Sequence, residues 1–182
     1  MIVGIAGEAG SGKGTAAEVL AERGYIRGKF AGALKEMLRA LLHYQGVQQI
    51  DRYIEGDLKE VPSKYLGGKS PRHVMQWLGH SGRENIGDDF WIDVELMKLE
   101  GWPKVLFDDL RYDNEEAAIV ARGGLVLQLV GRGGINSDHI SEQFKPKNPA
   151  MVIENTGTIE DLQKQINTFA DDISWINVNV AA

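Results

Sequence analysis

The residues with the clearest chemical potential lie within the first fifteen of the chain. Gly7-Glu8-Ala9-Gly10-Ser11-Gly12-Lys13-Gly14-Thr15 follows the pattern G-x-x-x-x-G-K-[ST], except that Gly14 separates the lysine from the threonine. Such a loop can hold phosphate. Glycines permit the backbone angles and close approaches that let several N–H groups converge on phosphate oxygens, where a Cβ would intrude. Lys13 adds a mobile point charge for β- and γ-phosphates, and Thr15 offers a hydroxyl to a magnesium ion. A helix that follows the loop would aim its positive end at the same phosphates. A glycine-rich stretch alone is usually a surface turn, but here the required context flanks it. The apolar run Ile2-Val3-Gly4-Ile5-Ala6 precedes it as a buried strand. The helix-forming run Ala16-Ala17-Glu18-Val19-Leu20-Ala21-Glu22-Arg23 follows, closed by Gly24.

A second set of candidates sits further along. Lys104-Val105-Leu106-Phe107-Asp108-Asp109 reads as another buried strand, ending in two carboxylates. Ligands of open parallel sheets gather at the C-terminal ends of strands, so an acid there is placed to organise magnesium. Arg111 follows at once. It could pair with one of the aspartates, but its planar fork of donors suits a phosphate clamp better. Residues 131–149 carry Arg132, Asp138, His139, Glu142, Lys145 and Lys147 among Gly131, Gly133 and Gly134, a composition suited to a lid. Three positions are left over by the apolar stripe of the helix that begins near residue 71: Arg72, His73 and Gln76. Lys35 lies off the stripe of its own helix and reads equally well as a solvated surface lysine. Trp91 suits either a core aromatic or a wall against a substrate base.

The elements that must position these groups alternate strand and helix. Residues 25–30 suggest a short strand. Leu34, Met37, Leu38, Leu41 and Leu42 then form one stripe of a helix starting near residue 31. Residues 43–70 mix charges of both signs around Pro62, Gly67 and Gly68, and suggest a mobile insertion with a short helix. Ser70-Pro71 is a helix start, with Ser as N-cap and Pro at the first position; the stripe that follows is Val74, Met75, Trp77 and Leu78. Further helices are expected over 92–100 and 114–122, and strands over 125–130 and 151–153. Thr158-Ile159-Glu160-Asp161 carries a capping-box start for a last helix lined by Ile159, Leu162, Ile166 and Phe169. The stretch after residue 171 shows only a short apolar alternation.

Composition narrows the classes. A chain of 182 residues with 43% hydrophobic content is expected to form one α/β domain with a full core. It contains no cysteine, which excludes disulfides and thiolate metal sites. No stretch approaches the ~20 apolar residues of a membrane span, and no leader is evident, so a cytosolic protein is expected. The net charge of −6 favours a small nucleotide over nucleic acid as partner, without excluding a local basic cleft.

These stretches, in this order, resemble the deoxynucleoside monophosphate kinases of tailed bacteriophages, within the P-loop kinase superfamily. The resemblance rests on residues 7–15, Phe30-Ala31-Gly32-Ala33-Leu34-Lys35, Arg72-His73-Val74-Met75-Gln76-Trp77-Leu78-Gly79, Asp109-Leu110-Arg111, Ser137-Asp138-His139 and Ile153-Glu154-Asn155-Thr156-Gly157. Gly-Lys-Gly-Thr is the spelling many nucleoside monophosphate kinases use, and residues 43–70 have no clear counterpart. The resemblance implies a three-layer α/β sandwich, with a mainly parallel sheet of about five strands, a lid at 131–149 and a substrate-binding helical region at 43–91. It implies transfer of the γ-phosphoryl of ATP, with Mg2+, to a deoxynucleoside 5′-monophosphate.

On that resemblance Gly10, Ser11, Gly12, Lys13, Gly14 and Thr15 hold the donor phosphates, and Thr15 and Asp109 the metal. Arg111 and Arg132 join Lys13 in neutralising the transferring group. Arg132 and Asn155 flank the adenine. Lys35, Arg72, Gln76 and Arg111 reach the acceptor, with Trp91 nearby, and a homodimer fits the family. Two other readings stay open: a kinase acting on hydroxymethylated pyrimidine in phage DNA, and a nucleotide-binding regulatory protein without catalysis. Dephospho-coenzyme A is a further acceptor of the same class. A GTPase is disfavoured because no Asn-Lys-x-Asp element is present.

Overall fold

In the computed structural model, which describes residues 1–133 and 144–180, the first strand sets the architecture. Strand β1 (Ile2–Ala6) buries Val3, Ile5 and Ala6 completely. Successive side chains of a strand point to opposite faces, so a strand buried on both sides reads as an unbroken apolar run. On one face Val3 and Ile5 pack with Ala16, Ala17 and Leu20 of helix α1 (Lys13–Glu22), and with Leu162, Ile166 and Phe169 of helix α7 (Ile159–Val180). On the other, Gly4 leaves no room for a side chain. A Cβ there would come 2.8 Å from Ile119 Cδ1 of helix α6 (Asp113–Ala121) and 2.9 Å from Leu110 Cδ2.

Four more strands complete a parallel sheet in the order β2-β3-β1-β4-β5. They are β2 (Ile26–Gly28), β3 (Val105–Phe107), β4 (Leu125–Val130) and β5 (Met151–Glu154). The fold is therefore α/β, a five-stranded parallel sheet flanked by helices in the manner of P-loop kinases. Because β1 is central and the order reverses beside it, the loop leaving β1 lies at the switch point where such sheets bind ligands.

The chain divides into two compact units. The sheet unit comprises Met1–Lys29 and Leu99–Ala182. Its last helix runs further than the expected end near residue 171. Ala170 and Ile173 extend the buried stripe of Leu162, Ile166 and Phe169, so the segment after Asp171 continues as helix instead of the expected alternation. The expected capping box is present. Asp161 N donates to Thr158 Oγ1 at 3.2 Å, and Thr158 N donates to Asp161 Oδ2 at 2.9 Å.

The helical unit is Phe30–Lys98. It contains α2 (Gly32–Tyr44), α3 (Asp51–Ile54), a 3-10 turn (Lys64–Leu66), α4 (Pro71–Asn85) and α5 (Phe90–Lys98). Its core joins Leu38, Leu42, Val47, Ile54, Leu66 and Met75. The segment 43–70 thus contains the expected short helix and is anchored by Val47, Ile54 and Leu66. Two expected stripes are narrower than the spacing suggested. Met37 and Leu41 are exposed beside buried Leu34, Leu38 and Leu42. Trp77 is exposed as well, because α4 buries Pro71, Met75, Gly79 and Gly82 instead. Ser70 caps α4 as expected, its Oγ accepting from His73 N at 3.3 Å.

Candidate active site

The loop after β1 takes a shape that demands glycine. Gly10 and Gly12 have φ of 81° and 102°. A Cβ on Gly12 would meet Asn155 Nδ2 at 2.7 Å and Leu162 Cδ2 at 2.8 Å, and one on Gly7 would meet Ser11 Oγ at 2.5 Å. Gly14 has open space around it. Lys13 opens α1 and folds back over the loop, its Nζ donating to the carbonyls of Gly7 at 2.6 Å and Glu8 at 2.8 Å. Ser11 is 1% exposed, yet its hydroxyl has no hydrogen-bond partner among the described residues. A buried hydroxyl without a partner is costly. Together with a crowded glycine backbone, a helix N-terminus and an ammonium group, it makes this loop chemically suited to phosphate oxygens. Thr15 stands in the first turn of α1, partly exposed.

The loop is braced from β5. Asn155 is 3% exposed, and its side-chain amide donates to Ser11 O at 2.9 Å. The family resemblance sets this residue beside adenine, and in the structure its amide supports the loop. Arg132, just past β4, is exposed and donates to Gly157 O at 2.9 Å. Gly133 lies so near the loop that a Cβ would come 2.6 Å from Ala9 O. The exits of β4 and β5 therefore line the same end of the sheet as residues 7–15. Asp138, His139 and Glu142 of the expected lid, and the Ser137-Asp138-His139 motif, lie outside the described residues.

The two carboxylates after β3 have different surroundings. Asp108 is buried and forms ion pairs with Arg27 and with Lys29, the latter at 3.6 Å. That pairing raises the already high pKa of the Arg27 guanidinium, chiefly through the side-chain hydrogen bond to Asp108. Asp109 is partly exposed one residue further from the strand. Of the two, it is the one with access to solvent. Arg111 is held through its backbone: its N–H donates to Glu115 Oε2 at 2.7 Å, and Tyr112 N donates to the same oxygen at 3.2 Å. Glu115 is 2% exposed, so a buried carboxylate fixes the path of Asp109-Leu110-Arg111. Nothing in the spacing of residues signalled that role. Among the described residues no three acidic or histidine side chains converge as a metal cluster. Thr15 carries a hydroxyl and Asp109 a carboxylate, both hard oxygen donors of the kind magnesium takes.

In the helical unit, Lys35 pairs with Glu55, and Arg72 pairs with Glu60. Gln76 is exposed on α4, four residues beyond Arg72 and so on the same side of the helix. Trp91 is not on that surface. It is 5% exposed, its Nε1 donates to Gly79 O at 2.9 Å, and its ring fills the space left by Gly82. Its core reading accounts for all of these contacts. A residue that sequence reasoning passed over joins the cluster: Lys59. Burial lowers the pKa of its ammonium, and the positive charges of Lys35 and Arg72 lower it further, against the opposing pull of Glu55 and Glu60. It was hidden in a stretch of mixed charge with no motif around it.

No model of a known protein family matches the sequence. An Acanthamoeba polyphaga mimivirus protein that carries the name of a deoxynucleotide monophosphate kinase is 30% identical over 196 residues, spanning 97% of this chain and 100% of its own. A crystal structure from Thermus thermophilus shares the fold with a TM-score of 0.51 at 23% identity, covering 94% of this chain and 97% of that one. A Janibacter sugar kinase reaches only a TM-score of 0.42 at 17% identity, with coverage of 93% and 94%, and carries no weight.

Proposed function

The chain belongs to the deoxynucleotide monophosphate kinase family, and on that premise we propose that it transfers the γ-phosphoryl group of ATP to a deoxynucleoside 5′-monophosphate. The observation that carries this reading is the loop 7–15 at the switch point of the sheet, with Lys13 folded over it and the Ser11 hydroxyl buried without a partner. Phosphoryl transfer asks for little covalent chemistry from the protein; alignment and charge neutralisation do most of the work. The loop amides and Lys13 bind the β- and γ-phosphates of the donor. Thr15 and Asp109 hold magnesium, which when bound supplies further positive charge to the same oxygens. Arg111, its backbone fixed by Glu115, and Arg132 offer guanidinium groups to the transferring phosphoryl. Lys35 and Arg72 take the acceptor phosphate, and Gln76 reaches toward its base. Asn155 keeps the loop in register.

A coupled ADP-release assay with Mg-ATP and a panel of dTMP, dGMP, dCMP, dAMP and dUMP tests this. Hydroxymethylated DNA and dephospho-coenzyme A are run alongside. Turnover on one or more free deoxynucleotides is expected. Turnover on DNA or dephospho-coenzyme A alone would move the acceptor to that class, and ATP binding with no transfer to any acceptor would contradict a kinase.

A further inference from the structure

The cluster around Lys59 goes beyond the residues that the family resemblance supplies. Three cations come from three places in the helical unit: Lys35 on α2, Arg72 in the first turn of α4, and Lys59 between α3 and the 3-10 turn. Lys59 is not on a loose strand of chain. Its N–H donates to Gly56 O at 3.2 Å and its carbonyl accepts from Arg72 N at 3.0 Å, while Ile54 and Leu66 are buried on either side.

The ion pairs in this cluster are asymmetric. Lys35 Nζ and Lys59 Nζ lie 2.5 and 3.7 Å from the two oxygens of one carboxylate, Glu55. The lysine side chains are 15% and 24% exposed, but that of Glu55 is 53% exposed. Arg72 and Glu60 repeat the asymmetry at 40% against 60%. An ordinary surface ion pair leaves both long side chains in solvent and gains little. Here the ammonium groups are set into the unit and the carboxylates lie over them from the solvent side. Bringing sheltered like charges together is unfavourable unless an anion answers them, and burial with neighbouring positive charge does hold Lys59 below its ordinary range. Glu55 and Glu60 pair with these three cations. A phosphate dianion, with three terminal oxygens, matches the set better than either.

We propose that Lys59, together with Lys35 and Arg72, forms the site for the 5′-phosphate of the acceptor, and that Glu55 and Glu60 are internal counter-ions which that phosphate displaces. The inference rests on the acceptor role proposed above for Lys35 and Arg72, and adds a binding residue and a competition built into the fold. The two partners of one ion pair then have opposite effects on binding. Removing Lys59 weakens it, and neutralising Glu55 strengthens it by removing the competitor.

The test uses 2-deoxyribose 5-phosphate, which carries the phosphate but no base, titrated calorimetrically into the full chain and its K59M, K59R and E55Q variants. Melting curves report whether each variant folds. K59M is expected to raise Kd by about tenfold, the loss of one charge-assisted contact, with K59R recovering part of it. E55Q is expected to lower Kd severalfold. An unchanged Kd in folded K59M, a weaker Kd in E55Q, or no binding to the wild-type chain would overturn the proposal. Parallel turnover on deoxynucleotides separates it from the function it rests on. Turnover by wild type with unchanged Kd in K59M sinks only the role of Lys59. Phosphate binding that depends on Lys59, with no turnover on any deoxynucleotide, sinks only the kinase assignment.

Discussion

The loop 7–15 and the cluster around Lys59 are two ways of preparing a chain for phosphate. The loop relies on backbone. Gly7, Gly10 and Gly12 hold angles closed to other residues, a buried asparagine holds one of the loop's carbonyls, and its lysine is folded against two more. The cluster relies on long side chains from separate elements, kept in place by carboxylates that face solvent. A backbone site is spelled in consecutive residues and resists small changes of environment. A side-chain site is assembled only by folding, and its members can be exchanged or competed away.

Substitutions that strike the loop should therefore cost more than those that strike the cluster. The largest effect is expected for K13M. Loss of the charge on the donor phosphates should lower kcat by at least about a hundredfold to a thousandfold in a chain that still folds, read by ADP release and calorimetry. Near-normal turnover would break the contrast at once.

Next comes N155A. It leaves the buried Ser11 carbonyl without its donor, a loss of about 1–3 kcal/mol in stability. The KM for ATP should rise while that for the deoxynucleotide stays level. A rise confined to the acceptor would place Asn155 elsewhere in the reaction.

A paired comparison sharpens the point about backbone. G12A forces a side chain into a left-handed position already crowded by Asn155 and Leu162, whereas G14A enters open space. G12A should cost about 1–3 kcal/mol of stability and lower the melting temperature clearly, and G14A far less. Equal losses would mean that the spacing of the glycines, and not their conformation, matters.

The smallest effect concerns the exposed capping box of α7. The Thr158 backbone N–H holds the Asp161 carboxyl below its ordinary pKa. A carboxylate with a depressed folded-state pKa contributes stability above its unfolded pKa, and that contribution is lost as pH falls through the folded value. Thermal melts from neutral pH into the acid range should show a shallower acid decline for D161N than for wild type. Parallel curves would remove the cap from the account.

The same contrast explains what could be read in the residues alone. β1 and β4 are apolar runs, the second interrupted by Gln128, and both strands coincide with those runs. The loop, the Ser70-Pro71 helix start and the Thr158-x-x-Asp161 cap are local spellings of backbone geometry, and each was legible. Width and company were not. Helical spacing admitted Met37, Leu41 and Trp77 to buried stripes, but all three are exposed. The stretch from Asp171 showed only a short apolar alternation, whereas Ile173 carries the helix onward in the core. The pairing of Asp108 with Arg27, the hold of Glu115 on Arg111, and the meeting of Lys59 with Lys35 and Arg72 join residues remote in sequence or hidden in a charged run. No pattern of spacing announces them.

The central claim is tested most directly by phosphorus NMR of a reaction containing Mg-ATP and the deoxynucleotide panel, with wild-type chain and with K13M. The account predicts a deoxynucleoside diphosphate and ADP formed together by the wild type, and neither by K13M on the same timescale. Release of inorganic phosphate without a new diphosphate, or the same diphosphate formed as fast by K13M, would contradict it.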